Sequence, residues 1–527
     1  MPNYNPNSTN YFHSYEPNTN DLVHAMDYNA AGQPIIRTVS STAGGNTLPS
    51  AGSITSWNEA TAQPLNPIIQ IEGQYGFDPD EVQTYTGGGG TANITGYNLM
   101  TASTSTTAYS YGVFRSRRNA KYRPGQGAMV RFTAAFNSAA GTTLRAGLAN
   151  QEEAIQIGFN GTQFGIFHSY GGKAEIRTLT ITGAPSSSAN ATIVLNSVSF
   201  SVPLVSGETV NQTAARIANF AFTGWITEQK DAEVRFLTAG GTGPLAGTYS
   251  FTHGTATGTF ARTQAGVVAT EVWTYQSDFN IDKLDGTGTS TVNIDFSKLN
   301  VFQMQYRWLG AGVRRYAIEN PLNGDLIYFH QQIWSNQNTR TWVDNPGFKI
   351  TYTAYNLGGT EVASVYGASM AAYIEGPILR NNYTRSYSLQ KTSLASGTVH
   401  HLFTIKNPTI YAGKINTKEI VLQDLVVSQQ GNDPLQVFLF FEADLATGTQ
   451  VYTRLPEAVA VISTVTGTVD LATYTPVSTF VVGIGGTTQF DLSPYRLVIP
   501  PGQRATVCVK SGQTIQQVTG AITWLAD

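Results

Sequence analysis

Along most of this chain apolar and polar residues alternate with a period of two, the signature of strands with one dry and one wet face. Phe302, Met304, Tyr306 and Trp308 share one face of such a strand, and Gln303, Gln305 and Arg307 share the other. Val130, Phe132, Ala134 and Phe136 alternate with Arg131, Thr133 and Ala135, after a turn at Arg123-Pro124-Gly125-Gln126-Gly127. Residues 155–167 predict two short strands joined at Asn160-Gly161, and residues 192–205 predict a pair around Asn196-Ser197. The helical period surfaces once, at Val210, Ala214, Ile217 and Ala218, with Ser206 as N-cap. Further strands are predicted at 234–237, 326–329 and 365–374, and again at 505–509 and 521–525. The nearly unbroken apolar run 435–441 predicts a strand buried on both faces or at an interface.

Many short strands with turns at this spacing predict a mainly β chain of multi-domain β-sandwiches. Residues 1–94 are poor in apolar runs and predict an extended N-terminal arm and linker. Its anchors would be Tyr11, Phe12, Tyr15, Ile35 and Ile36, and Gly87-Gly88-Gly89-Gly90 would be a flexible joint. Residues 95–178 and 271–378 together form one sandwich. It is interrupted by a small α+β module at 179–270 and followed by a C-terminal sandwich at 379–527. Exposed strand edges in such a molecule call for partner subunits to cover them.

Composition sharpens this picture. The chain has 527 residues, enough for several cores, and charged residues are only 12%, about half the usual share. The net charge of -3 argues against a dedicated nucleic-acid binder. The single cysteine, Cys508, excludes an internal disulfide framework and a cysteine-based zinc site. The first residues lack the pattern of a signal peptide, and no apolar run approaches the ~18 residues of a membrane span. The expectation is a protein made in a host cytoplasm, with no membrane insertion.

Candidate chemistry is sparse, and no cofactor motif is present. Gly367-Ala368-Ser369-Met370-Ala371 approaches a nucleophile motif but sits in a strand rather than a strand-to-helix elbow. Asp278, Asp282 and Asp285 cluster in a glycine-rich turn. They predict side-chain hydrogen bonds to the turn backbone, with Asp282 and Asp285 as weak candidates for a Ca²⁺ site. Glu152 and Glu153 are adjacent and so do not share a strand face, as paired glycosidase carboxylates would. Arg115, Arg117, Arg118, Lys121 and Arg123 put five cations in nine residues with no acid among them. They are candidates for docking onto an acidic partner, or for pairing with carboxylates elsewhere in the fold. Tyr328, Trp334 and Trp342, with Tyr352, lie in an Asn/Thr-rich region and are candidates for stacking on sugar rings, against a competing role in core packing.

Several segments stand in an order that resembles a family of virion structural proteins of tailed phages and nucleocytoplasmic large DNA viruses. They are YNAAGQPIIR from Tyr28, RNAKYRPGQ from Arg118, FNIDKLDGTG from Phe279 and WLGAGVR from Trp308, together with Arg145-Ala146-Gly147-Leu148 and Asn160-Gly161-Thr162. The central sandwich also resembles a concanavalin A-like lectin fold, a jelly roll split by the insert. The resemblance implies a minor capsid, tail or fibre component located in the virion. Its partners would be copies of itself, other virion proteins and a host-surface glycan, and it would have no catalysis. At the level of sequence two alternatives stay open: a glycan-cleaving enzyme, and a free carbohydrate-binding module.

Overall fold

The computed structural model describes residues 24–28, 34–38, 65–123, 125–238, 241–307, 311–376 and 383–527. It divides into two units, Met1–Gln63 and Pro64–Asp527. In the first, His24–Tyr28 pairs antiparallel with Pro34–Thr38, in the register Met26↔Ile36. The anchors Tyr11, Phe12 and Tyr15 lie outside the described residues.

The second unit is mainly β, built as antiparallel sandwiches. Its central body is two sheets. One runs Thr270–Tyr275, Gln163–Tyr170, Ala154–Asn160, Thr142–Ala149, Gly347–Asn356, Tyr111–Ser116, Val82–Gly87. The other runs Leu326–Ile333, Val313–Glu319, Asn300–Tyr306, Ala128–Asn137, Ser364–Gly367, Met100–Ser103, Thr91–Ile94, with Ser369–Glu375 bridging Ala128–Asn137 to Leu65–Glu72. Their inner faces share one core, in which Ile157, Ile166 and Tyr352 meet Phe132, Phe302 and Met304. The alternation read from sequence holds at Phe302, Met304 and Tyr306, all buried. Gln303, expected on the wet face, is buried too, because the Nε of Arg131 donates to its Oε1 at 2.5 Å. Trp308 lies outside the described residues.

Residues 65–94 are not linker. They supply three strands of the central body, so the sandwich begins at Leu65 rather than at residue 95. The glycine run is a tight turn and not a flexible joint. Gly90 N donates to Gly87 O at 3.0 Å, and Gly88 and Gly89 have φ of 60° and 83°. Positive φ at both central residues is the geometry that glycine adopts without steric cost, and it turns the chain from one sheet to the other. The hairpin at Asn160 forms with the register Asn160↔Gln163, which leaves Gly161 and Thr162 at the tip.

The insert leaves the central body at Ile176–Gly183 and its last strand is Thr257–Gln264. A four-stranded and a three-stranded sheet enclose a core of Leu179, Ile193, Val202 and Phe236, against which helix Val210–Ala218 packs Ala214 and Ile217. The N-cap is Thr209 rather than Ser206. Thr209 and Gln212 form a reciprocal capping box, which satisfies two orphan donors where Ser206 would satisfy none. The last body pairs a five-stranded with a six-stranded sheet around Leu402, Leu425, Val437, Val507 and Trp524. Its strand Leu435–Phe441 is buried on both faces, with Val437 and Leu439 in that core and Phe438 and Phe440 in a satellite cluster with Cys508. Burial raises the Cys508 thiol well above its ordinary range. Among the described residues no helix is long and apolar enough to cross a membrane.

The insert docks onto the last body through polar groups. The side-chain amide of Gln229 donates to Tyr452 O at 3.0 Å and accepts from Tyr452 N at 2.6 Å, as a neighbouring strand would. The Glu228 carboxylate accepts from Thr409 N at 2.6 Å and from Ile410 N at 3.3 Å. Replacing Gln229 by Ala should strand the Tyr452 N–H and cost about 1–3 kcal/mol in denaturant unfolding; an unchanged midpoint would show that this joint contributes nothing.

A second prediction concerns acid. His401 is buried, with Nδ1 on Val465 O at 2.7 Å and Nε2 on the Thr404 hydroxyl at 2.9 Å. Burial, reinforced by Lys391, pushes its pKa down from 6.5 to about 4. The folded state therefore holds a neutral ring while the unfolded chain takes up a proton near 6.5, so stability present above that pH is lost as pH falls toward 4. His401→Gln should flatten the slope of unfolding free energy over that window, by at most about 1.4 kcal/mol per pH unit.

Candidate functional site

The outer face of the Thr142–Ala149 sheet is where alternation puts chemistry. Inward residues Leu144, Ile157, Ile166, Ile350 and Phe114 fill the core. The residues between them therefore point out: Tyr111, Val113 and Arg115, then Thr351, Thr353 and Tyr355, then Arg145 and Phe167, and finally Trp273 and Tyr275. They form a ladder. The Tyr111 and Tyr355 rings are 6.1 Å apart, and the Arg145 guanidinium lies 5.1 Å from the Tyr355 ring and 4.2 Å from Phe167. Phe167 and Trp273 are 5.2 Å apart, and Trp273 stacks on Tyr275 at 6.3 Å. Burial lowers the pKa of Arg145, and its Nε has no partner. The aromatic faces on both sides supply the attraction that a carboxylate otherwise would.

Part of this face is a groove of about 360 Å³, overhung by Gly224 and Gly241 of the insert and floored by Tyr85, Tyr111, Thr351, Thr353 and Tyr355. Tyr85, Arg115, Asn150 and Gln151 also line a second cavity of about 220 Å³, so the two adjoin. That cavity lies where the three bodies meet. The central body contributes Arg115, Arg117 and Lys349, the insert Thr227, and the last body Lys406, Thr409 and Asn416.

The structure splits the cluster of five cations. Arg118 pairs with Glu419 at 3.7 Å, Lys121 pairs with Asp527 at 3.4 Å, and Arg123 pairs with the other oxygen of Asp527. These three clamp the central body to the last one. Arg115 and Arg117 turn the other way, into the cavity. Arg115 Nε donates to Gln83 Oε1 at 2.9 Å and its Nη2 to the Tyr85 hydroxyl at 2.7 Å, while Arg117 Nε donates to Val82 O at 3.1 Å and to Pro79 O. Lys349 Nζ donates to Arg117 O. Burial lowers the pKa of Lys349 and of Lys406, and Arg115 beside Lys349 lowers it further.

The aromatic candidates from sequence do not form this face. Trp342 is fully buried, stacked on Phe348 at 6.2 Å with Arg314 over its ring at 4.4 Å, so it is core rather than platform. Tyr352 is core as well. Trp334 is half-buried, edge-on to Tyr170 at 5.4 Å, with its indole N–H donated to Arg340 O. Tyr328 is half-buried on the edge strand Leu326–Ile333, in the other sheet. Asp282 and Asp285 hold the turn: Asp282 accepts from Leu284 N at 2.8 Å and Ser290 N at 2.7 Å, and Asp285 from Thr287 N at 2.9 Å. Among the described residues no group of three or more His, Cys, Asp or Glu is placed to hold a metal ion.

Tyr85, Tyr111, Arg145, Tyr355, Trp273, Lys349 and Lys406 escape a reading of motifs. The signal that could have found some of them is the polar row Thr351-x-Thr353-x-Tyr355, whose alternate residues Ile350, Tyr352 and Ala354 are core.

No family model matches the chain, and no curated protein matches it either. Among solved structures it is similar to the cellulose-induced protein Cip1, at 10% identity over 58% of this chain and 96% of that one, with a TM-score of 0.23. It is similar to the lectin UEA-II complexed with galactose, at 7% identity over 59% and 99%, with a TM-score of 0.23. A third is the binding domain of botulinum neurotoxin serotype C1, at 8% identity over 85% and 94%, with a TM-score of 0.25. These scores are too low for any of the three to bear on what this chain does.

Proposed function

We propose that this protein is a glycan-binding component of a virus particle, which holds an oligosaccharide along the groove on the outer face of the Thr142–Ala149 sheet. The observation that carries the reading is the row of tyrosines Tyr85, Tyr111 and Tyr355 beside the Gln151 amide in one overhung channel. Sugar rings present C–H faces that pack on aromatic rings, and hydroxyls that need polar partners around the edge. The groove offers both within about 360 Å³.

Binding rather than cleavage is favoured by what lines the channel. Glycosidases place two carboxyls about 5–9 Å apart across the scissile bond. The described lining residues here are tyrosines, threonines, amides, glycines, small apolar residues and cations, with no carboxylate among them. The virion setting rests on the sequence motifs. In this reading the separate Met1–Gln63 unit is the part that joins the body to further copies or to neighbouring virion proteins.

A glycan array probed with the full chain should give a saturable hit. Tyr111→Ala should weaken that hit about tenfold or more, a change of about 1.4 kcal/mol, and leave thermal unfolding within a few degrees of wild type. Retention of no saccharide on the array, or full affinity in the Tyr111 variant, would refute the groove as a glycan site.

A further inference from the structure

We propose that the three-body end of the groove is an anion site, so that the ligand is an acidic saccharide bearing a carboxylate or a sulfate. This deepens the glycan reading of the groove and rests on it.

Arg115, Arg117, Lys349 and Lys406 face one cavity of about 220 Å³. None of the four forms an ion pair with a carboxylate among the described residues, whereas Arg118, Lys121 and Arg123 of the same segment all do. The acids around this cavity lie outside its lining, each held by other partners. Glu419 accepts from Asn119 N at 3.1 Å and pairs with Arg118, Glu228 accepts from two backbone amides of the last body, and Glu442 accepts from Arg504 N at 2.6 Å. Two guanidinium groups and two lysines drawn from two bodies therefore line one cavity that has no carboxylate in its lining, while Glu419 attracts Lys349, and Glu228 and Glu442 attract Lys406, from outside it. Convergence of this kind costs Coulomb energy that an incoming anion reverses.

Donor geometry agrees. Arg115 and Arg117 each spend Nε on protein acceptors, and Arg115 spends Nη2 on Tyr85 as well, whereas neither terminal nitrogen of Arg117 bonds to a described residue, so its paired N–H groups remain to grip two oxygens of one anionic group. The adjoining tyrosine channel would carry the sugar rings that bear that group, because Tyr85 and Arg115 line both spaces. Burial presses both lysines toward losing their protons, with Arg115 and Arg117 adding to it at Lys349 and Arg504 at Lys406, and a bound anion would oppose that shift.

The test is calorimetric titration of the full chain with three forms of one oligosaccharide: neutral, carboxylate-bearing and sulfated. Inorganic sulfate alone is a fourth arm. The expected result is at least about tenfold tighter binding of one or both acidic forms. That preference should shrink as sodium chloride is raised and should be lost in both Arg117→Gln and Lys406→Met. Two variants from different bodies are used, with thermal unfolding as the control for folding. Equal affinity for neutral and acidic forms, or an acidic preference that survives in both variants, would overturn the anion site while leaving the glycan reading intact. No binding of any saccharide, but sulfate binding that is lost in the variants, would keep the anion site and defeat the glycan reading. Silence in all four arms would defeat both.

Discussion

Three β bodies cannot be packed together without burying backbone groups at their joints, and every such group must find a partner. The acidic and amide side chains meet this demand. Glu152 of the central body accepts from Ala174 N at the root of the insert, and Glu153 beside it accepts from Asp344 N and Asn345 N. Glu228 and Gln229 of the insert complete the edge of the last body, and Glu419 of the last body accepts from Asn119 N of the central one. Asp527 collects Lys121 and Arg123. Acids used in this way sit at the joints rather than in the lining of the cavity, and Glu228 attracts Lys406 from there. The basic lining of the cavity is thus a consequence of how the bodies are joined.

Burial has a cost at each of these joints. Desolvation raises the pKa values of Glu153 and Glu228, opposed by Lys406 at Glu228 and by backbone hydrogen bonds at both. Such groups are tolerated because each oxygen meets a donor; removing a donor would leave a buried acceptor unsatisfied at about 1–3 kcal/mol. Arg145 solves the same problem with aromatic faces in place of a carboxylate. That choice also builds the ladder that makes the outer sheet face distinctive.

Strand alternation was legible wherever one face is core and the other wet, as at Phe302, Met304 and Tyr306. The Asn160 and Asn196 hairpins were legible because turns need particular φ values that few residues supply. Legibility failed where a residue's role depends on a partner distant in sequence. Residues 65–94 look too polar to fold, yet their strands pair with partners near residues 100, 113 and 370 and gain their stability there. Trp342 reads as a loop aromatic until Phe348 and Arg314 close over it.

By itself the sequence determined the period of two, the turns, the one helix and the shortage of charge, and these fix a mainly β chain with its local pieces. Each depends on residues a few positions apart, so local sterics and burial preference suffice to specify it. Only the tertiary structure decided which wet face became a groove, which of five neighbouring cations became clamps, and where Lys349 and Lys406 would meet Arg115. Those outcomes depend on the relative placement of segments hundreds of residues apart, which is set by the shared core and by the pairing of buried polar groups at the joints.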